Sequence, residues 1–500
     1  MTNKKYKLVK AKSGELIPVL IDKDGTEYPL HSTIEPGREA KKLIDTIEKE
    51  SFLVLLGFGG AYLLKAALER NDICKILIIE YDKASFDELL SQYNYSDILK
   101  DPRIMLIVDP SKETIEEHIV NLYKPVLHNG IRVVPLRSRT RFDSESFNIA
   151  GEAIISAIDQ ISVDYSVQAH FGKRWFSNII NNIKNSYSTK QNLPCVIHAA
   201  VCAAGPSLSL QLDKLKTRHK KPFIIATDTS LPCLLSENIV PDAVISIDAQ
   251  IISYYHFMNG LPDKCLLFLD LLSPPFLASI SKNTHFFSGG HPLTRLISGF
   301  DANIFELDTS GANVTYAAIS LAEYLGAQEI EVYGADYCYP NGISYARGAY
   351  IYSYFENRQS RTLPLEAQAS TFLYRTPLDK KYNTNGSSWC YETSKLNFYR
   401  EKYEKKKSLI CTAAQKVLRK ESQKAVLNPQ NFLNRYKTGL EILCNPGENA
   451  AEFLSSLDDE GQAIFTTILP LAAALKKRNP QWNFQELLRE TRGYCLDKLG

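Results

Sequence analysis

The sequence predicts an α/β protein with two parallel-sheet domains in series, followed by a helical C-terminal domain. Three observations predict this fold class. Short apolar segments of strand length recur, helical patterns lie between them, and the sequence from about residue 397 onward is helix-patterned. Such alternation of strands and helices is typical of a mostly parallel sheet with helices on both faces.

Length and charge exclude several function classes. The 500 residues correspond to about three domains. The 58 Lys and Arg against 56 Asp and Glu give a net charge of +2, which argues against a general nucleic-acid binder or a binder of anionic membranes. The run 405–407 of lysines follows two glutamates and is interpreted as a solvated helix face. The ten cysteines are scattered without a C-x-x-C motif, so reduced and buried thiols are expected.

Nothing in the sequence is typical of targeting to a membrane. No apolar stretch reaches the roughly 18 residues that a membrane-spanning helix needs. The lysine-rich segment 1–12 is followed by Ser13-Gly14-Glu15 and not by the apolar core of a signal peptide. We therefore expect a cytoplasmic protein.

The first α/β segment has the outline of a nucleotide-binding unit. An apolar strand at 52–56 ends in the glycine-rich turn 57–60, and a helix at 61–69 leads to a second strand that ends in Glu80. Glycines let a backbone approach a phosphate closely, and the acid can bond ribose hydroxyls. Because the turn has the pattern G-x-G-G and not G-x-G-x-x-G, two interpretations stay open. The unit either binds a nucleotide or is a Rossmann-like structural domain without a ligand.

The same patterns divide the chain into four parts. Residues 1–35 alternate apolar and polar around two turns and predict a small strand-rich cap. Amide-rich helical sequence follows the first α/β segment, and helical sequence at the end is broken near Asn428-Pro429 and at 445–447. The predicted parts are a strand cap with a Rossmann-like domain (1–165), a helical connector (166–192), a second Rossmann-like domain (193–400) and a helical domain (401–500).

Candidate ligand-binding residues follow the predicted strands of the second α/β domain. In open α/β sheets ligands lie at the carboxyl ends of the strands, and small, hydroxylated and acidic residues recur there. The segment 309–313 also opens a helix, whose first N–H groups can hold an anion. The candidates at these strand ends are Gly205, Pro206, Ser207, Asp228, Asp248, His291, Thr309, Ser310, Gly311 and Asp336.

An aromatic, glycine-containing segment follows Asp336 and includes Tyr339 and Tyr345. Its length suits an active-site lid, although an aromatic segment packed on the core is the alternative interpretation.

Four segments of the second α/β domain resemble the motility-associated factor (Maf) glycosyltransferases. They are Gly205–Leu208, Pro241–Asp248, Thr309–Gly311 and Leu325–Asp336. The segment Leu30–Ala40 resembles the N-terminal region of the same family, so the resemblance runs over most of residues 28–400. This domain also resembles the 6-hydroxymethylpterin pyrophosphokinase MptE-like domain. Through Thr309–Gly311 and Asn341–Tyr345 it is similar to bacterial CMP-sialic acid sialyltransferases.

The resemblance implies a glycosyltransferase that moves a nonulosonic acid, of the pseudaminic or legionaminic type, from a CMP-sugar to Ser or Thr of flagellin and so supports motility. It implies that Tyr339 and Tyr345 bond the donor phosphate. Preplaced hydroxyls and a helix N-terminus can meet the charge that grows on a leaving phosphate. With no D-x-D motif near these strand ends, we expect transfer without a metal or cofactor. By similarity the CMP would be held by Gly205, Pro206, Ser207, Asp228, Asp248, Thr309, Ser310 and Gly311.

The sequence departs from the family pattern at three places. The family turn has the pattern G-x-G-P-S, and here Ala203-Ala204 precedes Gly205. Sialyltransferases carry a histidine base after the aromatic segment, and here no histidine follows His291. They also tend to have an arginine shortly before the Thr-Ser-Gly motif, where this sequence has Leu307-Asp308. A general base contributes about 10²–10⁴-fold to such a transfer, and the candidate bases are His291, Asp336 and Asp248. Two alternative functions stay open, an ATP-dependent 6-hydroxymethylpterin pyrophosphokinase and a non-catalytic flagellin-binding protein.

Overall fold

The computed structural model describes residues 5–21, 25–49, 51–92, 95, 97–186, 192–217, 221–382, 389–412, 426, 428–444 and 450–500. These residues form two compact units. The first unit comprises residues 1–173 and 437–498 with Gly500, and the second comprises residues 174–436 with Leu499.

The strands are β1 (Lys5–Lys10), β2 (Leu16–Ile21), β3 (Glu27–Pro29), β4 (Phe52–Leu56), β5 (Lys75–Glu80), β6 (Ile104–Val108), β7 (Ile131–Pro135), β8 (His198–Cys202), β9 (Phe223–Thr227), β10 (Ala243–Ser246), β11 (Leu266–Asp270), β12 (Thr284–Ser288), β13 (Phe305–Glu306), β14 (Glu329–Tyr333), β15 (Tyr339–Pro340), β16 (Asp379–Tyr382) and β17 (Trp389–Glu392).

The α-helices are α1 (Pro36–Ile44), α2 (Tyr62–Leu68), α3 (Lys83–Gln92), α4 (Lys112–Leu122), α5 (Arg137–Phe142), α6 (Ser144–Lys184), α7 (Leu208–Lys216), α8 (Leu231–Ser236), α9 (Pro292–Phe300), α10 (Val314–Tyr324), α11 (Tyr350–Glu356), α12 (Leu365–Leu373), α13 (Ser394–Thr412), α14 (Pro429–Ile442), α15 (Ala450–Ser456), α16 (Asp459–Arg478) and α17 (Phe484–Leu499).

The first unit contains one antiparallel and one parallel sheet. β1, β2 and β3 pair antiparallel, and the parallel sheet has the order β6-β5-β4-β7. All five residues of β4 are buried and apolar, as expected for a strand covered on both faces. The strand order reverses between β4 and β7, which is where open α/β sheets form a crevice.

The second unit is built on a seven-stranded sheet with the order β13-β12-β11-β10-β9-β8-β14, in which every pair is parallel. The helix α10 packs across β8, β9 and β10. Its residues 315–322 are all buried, so it is a core helix that is apolar nearly all round. The order reverses between β8 and β14, so the segments that follow these two strands flank the crevice of this sheet.

Two amides of α6 are fixed to the segment that follows β11. The Asn178 amide donates to the carbonyl of Leu272 at 2.7 Å, and the Asn182 amide donates to those of Leu271 and Ser273 at 2.9 and 2.8 Å. Burying an amide is costly unless it is hydrogen-bonded, and these contacts satisfy the side-chain N–H groups of the two buried asparagines.

A small antiparallel sheet, β15-β17-β16, follows the parallel sheet and organises the tyrosine-rich segment. Tyr339 of β15 lies opposite Tyr391 of β17. The sequence alone predicts neither β16 nor β17. The tyrosine-rich segment, residues 337–354, includes β15 and the first part of α11, so regular structure holds it near both ends.

The α/β fold class with parallel sheets and C-terminal helices is confirmed. The break predicted near Asn428-Pro429 coincides with the start of α14, whereas the break at 445–447 lies outside the described residues. Within the described ranges, no helix is long and apolar enough to cross a membrane.

Candidate active site

The predicted site residues of the second unit lie at the carboxyl edge of its sheet. β8, β9 and β10 are neighbours in the sheet. Gly205, Asp228 and Asp248 follow their ends within three residues. Register therefore brings residues that are about 20 positions apart in sequence to one edge.

The turn between β8 and α7 is closed by Asp336, which follows β14. The Ser207 N–H donates to Oδ2 of Asp336 at 3.0 Å, and the Gly205 N–H donates to the carbonyl of Gly334 at 2.8 Å. A Cβ on Gly205 would lie 2.2 Å from Oδ2 of Asp336 and 2.4 Å from the Gly334 oxygen. The position therefore needs glycine. The Ser207 N–H, one of the donors that could otherwise meet an anion, already has a carboxylate partner.

A cleft of about 870 Å³ opens beside this turn. Its walls combine the start of α7, the end of α8 and the tyrosine-rich segment. Four predicted site residues line it: Pro206, Ser207, Asp336 and Tyr345. The volume is that of a typical small-molecule site.

Asp228 holds the edge of the sheet together. Its Oδ2 accepts from the Ser246 hydroxyl at 2.6 Å, and its Oδ1 accepts from the N–H and hydroxyl of Thr229 at 2.7 and 2.9 Å. The carboxylate is 4 % exposed, and these donors account for its burial.

Ring contacts link two tyrosines and an arginine, which together with Tyr339 are called the tyrosine cluster. Tyr345 packs against Tyr350 and against Phe372 at 6.4 and 6.1 Å between ring centroids, and the Arg375 guanidinium lies over the Phe372 ring at 4.0 Å. Burial raises the pKa of Tyr339, Tyr345 and Tyr350, while the positive charge of Arg375 acts on all three hydroxyls in the opposite direction. The negative charge of Asp228 reaches Tyr345 and Tyr350. At neutral pH these hydroxyls are protonated donors, and the Arg375 guanidinium and the Asp228 carboxylate bring opposite charges to them.

Asp248 lies near this cluster and beside His256. Burial raises the pKa of the Asp248 carboxyl, and the charge of Asp228 raises it further, while the Gln250 N–H and His256 act to lower it. His256 belongs to a short 3₁₀ helix, is 8 % exposed and packs edge-on against Tyr350 at 4.4 Å between ring centroids. Among the described residues, its buried Nδ1 has no hydrogen-bond partner. A basic carboxylate beside a histidine can exchange a proton with a ligand.

The segment Thr309–Gly311 is positioned by its own neighbours. The Thr309 hydroxyl donates to the Gly289 carbonyl at 2.6 Å, and the Ser310 N–H donates to Oδ1 of Asp308 at 3.0 Å. The N-terminus of α10 is capped by Asn313, whose Oδ1 accepts from the Tyr316 N–H at 3.0 Å. Part of the anion-binding capacity predicted for this helix start is therefore used within the protein.

His291 caps α9. Its Nδ1 accepts from the Leu293 N–H at 3.1 Å, and its ring packs edge-on against Trp175 at 5.7 Å. Burial lowers the pKa of His291 to about 3. These contacts are those of a neutral structural histidine, and the base role predicted for it stays a prediction.

The glycine-rich turn of the first unit is filled by protein side chains. The Phe58 N–H donates to Oε2 of Glu80 at 2.8 Å, and the Gly60 N–H donates to Nε2 of His31 at 2.8 Å. The guanidinium of Arg139, itself 1 % exposed, contacts Oε1 of Glu80 at 2.8 Å. The groups that would meet a phosphate and a ribose are engaged, which favours the interpretation of this part as a structural domain.

The sequence candidates thus fall into two neighbouring groups. The cleft brings together Pro206, Ser207, Asp336 and Tyr345, and Asp228 and Asp248 lie with the tyrosine cluster that shares Tyr345.

Three residues of the site were not predicted from the sequence: Tyr350, Arg375 and His256. For Tyr350, membership of the tyrosine-rich segment was the available signal. His256 lies ten residues after the end of β10, and Arg375 follows α12, so a rule based on strand ends could not find them. Among the described residues, no cluster of three or more His, Cys, Asp or Glu could hold a metal ion.

Residues 173–342 match the family model described as 6-hydroxymethylpterin diphosphokinase MptE-like. This range contains β8 to β14 and therefore the whole parallel sheet of the second unit.

An uncharacterised protein of Treponema pallidum (strain Nichols) is 30% identical over 167 residues, which are 33% of this chain and 80% of that protein. The chain belongs to the family of this treponemal protein. A second uncharacterised protein of that organism is 33% identical over 153 residues, 30% of the chain and 54% of that protein. A third is 26% identical over 226 residues, 42% of the chain and 38% of that protein. The matched part of the chain thus spans 54% and 38% of the length of these two relatives.

The chain is also similar to the solved structure of a Maf glycosyltransferase from Magnetospirillum magneticum AMB-1. The TM-score is 0.58 at 13% identity, over 99% of this chain and 90% of that chain. The chain has the fold of that Maf protein. The resemblance to Maf proteins is confirmed at the level of the fold, and the MptE-like resemblance is confirmed by the family-model match.

Proposed function

We propose that the chain is a glycosyltransferase that moves a nonulosonic acid from a CMP-sugar to Ser or Thr of flagellin in the cytoplasm, and so supports flagellar assembly. One observation carries the proposal. Tyr345 lines the cleft at the carboxyl edge of the sheet, Tyr350 and Phe372 pack against it, and the Arg375 guanidinium lies over Phe372, in a chain that has the fold of a Maf glycosyltransferase.

The tyrosine hydroxyls and the guanidinium of this cluster suit the departure of a phosphate. When the bond between the sugar and the phosphate oxygen breaks, negative charge grows on the CMP phosphate and the sugar becomes cation-like. Tyr339 and Tyr345 donate hydrogen bonds to that phosphate, and Arg375 offsets its charge. Such preplaced donors supply the stabilisation without a metal or cofactor, so transfer that persists in a chelator is expected.

Asp248 is the proposed general base. The acceptor hydroxyl oxygen forms the new bond to the sugar and gives its proton to the Asp248 carboxylate. A raised pKa makes this carboxylate a better proton acceptor near neutral pH. His256 is a positioning residue beside it, whereas burial lowers the pKa of His291 to about 3 and Oδ2 of Asp336 closes the turn between β8 and α7.

The 870 Å³ cleft is assigned to the ribose and base of CMP. The Asp336 carboxylate at the Ser207 N–H would repel a phosphate, but ribose hydroxyls can donate to a carboxylate. Gly205, Pro206 and Ser207 then form the nucleoside wall. Thr309, Ser310 and Gly311 remain the proposed second wall of the nucleotide site.

The test combines binding and turnover. Purified protein is titrated with CMP and, separately, AMP in a thermal-shift assay, since a ligand at about 100 times its Kd stabilises a protein by about 2.7 kcal/mol. Turnover is followed as CMP release and as an increase in flagellin mass, with and without EDTA. Tyr345→Phe should lower turnover at least tenfold, while Tyr382→Phe, at an exposed site of the same unit, should not. If CMP stabilises the protein but flagellin is not modified, the proposal that flagellin is the acceptor is contradicted. If CMP does not stabilise the protein, the alternative of a non-catalytic flagellin-binding protein is favoured.

A second candidate function follows from the family-model match. The description of residues 173–342 as diphosphokinase-like favours transfer of a diphosphate from ATP to a hydroxymethylpterin. Formation of AMP from ATP that depends on added 6-hydroxymethylpterin would support this function over glycosyl transfer.

A further inference from the structure

The first unit has a cavity of about 530 Å³ at the amino edge of its parallel sheet, opposite the edge where ligands usually bind. Lys75 begins β5 and Arg103 directly precedes β6. The segment after α4 contributes Lys124 and His128, and α15 and α16 supply the facing wall. All of these elements belong to the same unit.

The lining of this cavity is basic. Lys75, Arg103, Lys124 and His128 line it, and none of the described lining residues is acidic. The charge of Arg103 is balanced, because its Nε and Nη2 contact the two oxygens of Asp101 at 3.1 and 2.9 Å.

Unlike Arg103, the cavity residues Lys75 and Lys124 donate to uncharged backbone carbonyls. The Lys75 ammonium donates to the carbonyl of Pro102 at 2.9 Å, and the Lys124 ammonium donates to the carbonyl of Val120 at 3.0 Å. The carboxylates whose charge reaches them are Asp101, which Arg103 already holds, and Asp164, which lies outside the cavity lining.

Burial changes the pKa of both cavity lysines. It lowers the pKa of Lys75 and of Lys124, although Asp101 and Asp164 act to raise them. Burial also lowers the pKa of His128 to about 4, and the charges of both lysines contribute to that shift. The two lysines therefore share one small space and lack a full counter-charge, which an anion would supply.

We propose that this cavity binds a small molecule through a phosphate group held by Lys75 and Lys124. Lysine is a frequent phosphate ligand as a point charge, and Asn121 and Gln462 of the same lining offer amides for the rest of the molecule. The site is separate from the proposed transferase site, because every lining residue belongs to the first unit.

The test uses the full chain and isothermal titration with inorganic phosphate and, separately, AMP at constant ionic strength. We expect saturable binding to wild-type protein, a loss of at least tenfold in affinity in Lys75→Gln/Lys124→Gln, and recovery in Lys75→Arg/Lys124→Arg. The matched control is Lys83→Gln/Lys100→Gln, which changes two exposed lysines of the same unit and should bind as the wild type does.

The two ligands distinguish the sources of the phosphate. Equal binding of both supports recognition of the phosphate alone, and tighter lysine-dependent binding of AMP supports a nucleotide. If the double glutamine variant does not fold, Lys75→Gln and Lys124→Gln are measured singly. Binding that is unchanged by these lysines, or no binding of either ligand to the wild type, would overturn the proposal.

Discussion

The carboxylates that follow strands of the two parallel sheets differ in their hydrogen-bond partners. Glu80 and Asp336 each accept from a backbone N–H of a glycine-containing turn. Both oxygens of Glu80 are held by the protein, because Oε1 also contacts Arg139, whereas Oδ2 is the oxygen of Asp336 that holds its turn. Asp248 accepts from the Gln250 N–H, yet its carboxyl has a raised pKa and a histidine neighbour. Position at a strand end alone therefore does not separate a structural acid from a reactive one.

Asp248 and His256 give a prediction on activity. Asp248→Asn should lower kcat by about 10²–10⁴-fold, because it removes the proposed base. His256→Gln should retain turnover but move the acidic limb of the pH–rate profile to higher pH, because a charge that lowers the Asp248 pKa is lost. The measurement is CMP release between pH 5 and 9. An acidic limb that does not move in His256→Gln would contradict the pairing.

Arg139 gives a prediction on stability. Arg139→Met leaves Glu80 and Asp143 buried without their cation and should cost about 3–5 kcal/mol. Arg38→Met is the control, since its pair with Glu35 is exposed and worth about 0–1 kcal/mol. Urea unfolding followed by circular dichroism measures both variants. Equal midpoints for the two would be inconsistent with a buried network at the turn of the first unit.

At the scale of elements, β8 and β14 fix the cleft because the segments that follow them lock together. The backbone N–H of Ala346 donates to the Ala204 carbonyl, and that of Arg347 donates to the Ser209 hydroxyl. The tyrosine-rich segment is thus attached at the start of α7. The departure at Ala203-Ala204 is accommodated, because both alanines are buried in this junction.

The turn between β8 and α7 gives a prediction at this scale. Gly205→Ala should destabilise the protein by about 1–3 kcal/mol, because the new Cβ meets Asp336 and the Gly334 backbone. Gly299→Ala in α9 has no atom within 4 Å of its Cβ and should be neutral or stabilising by up to about 1 kcal/mol. Thermal unfolding compares them. A Gly205→Ala protein as stable as the Gly299→Ala protein would refute the close packing of the turn.

At the scale of the whole molecule, buried histidines couple stability to pH. Burial lowers the pKa of His31, His128 and His285 to about 4 and of His291 to about 3. Below about pH 6.5 the unfolded chain binds protons at these sites that the folded chain excludes, so stability falls as the pH is lowered toward 4. Asp270 acts in the opposite direction, because burial raises its pKa to about 7 and its ionisation costs stability as the pH rises from about 4 to 7.

The contribution of one buried histidine, His31, to this pH dependence can be measured separately. A single excluded proton changes the unfolding free energy by up to about 1.4 kcal/mol per pH unit. His31→Gln should therefore lose less stability between pH 7 and 5 than the wild type, whereas His170→Gln, at an exposed position, should match the wild type. Urea midpoints at both pH values provide the comparison. An unchanged slope in His31→Gln would show that His31 does not couple stability to pH.

The sequence by itself determined the α/β class and the main strands, because buried parallel strands such as β4 and β8 are short continuous apolar runs bounded by glycine. It also determined that polar residues follow those strands, and the motifs around Thr309 and Gly334 carried the resemblance that the fold confirms. These are local properties of the chain.

Only the tertiary structure decided which polar groups remain available. Whether Glu80 or Asp336 can meet a ligand depends on N–H donors that lie far from them in sequence, and Arg375 and His256 reach the site through packing, with no local pattern to mark them. The basic cavity at the amino edge of the first sheet likewise arises where residues 75, 103 and 124 meet helices from the end of the chain. Burial and partner choice are set by contacts between distant segments, and the sequence does not encode them locally.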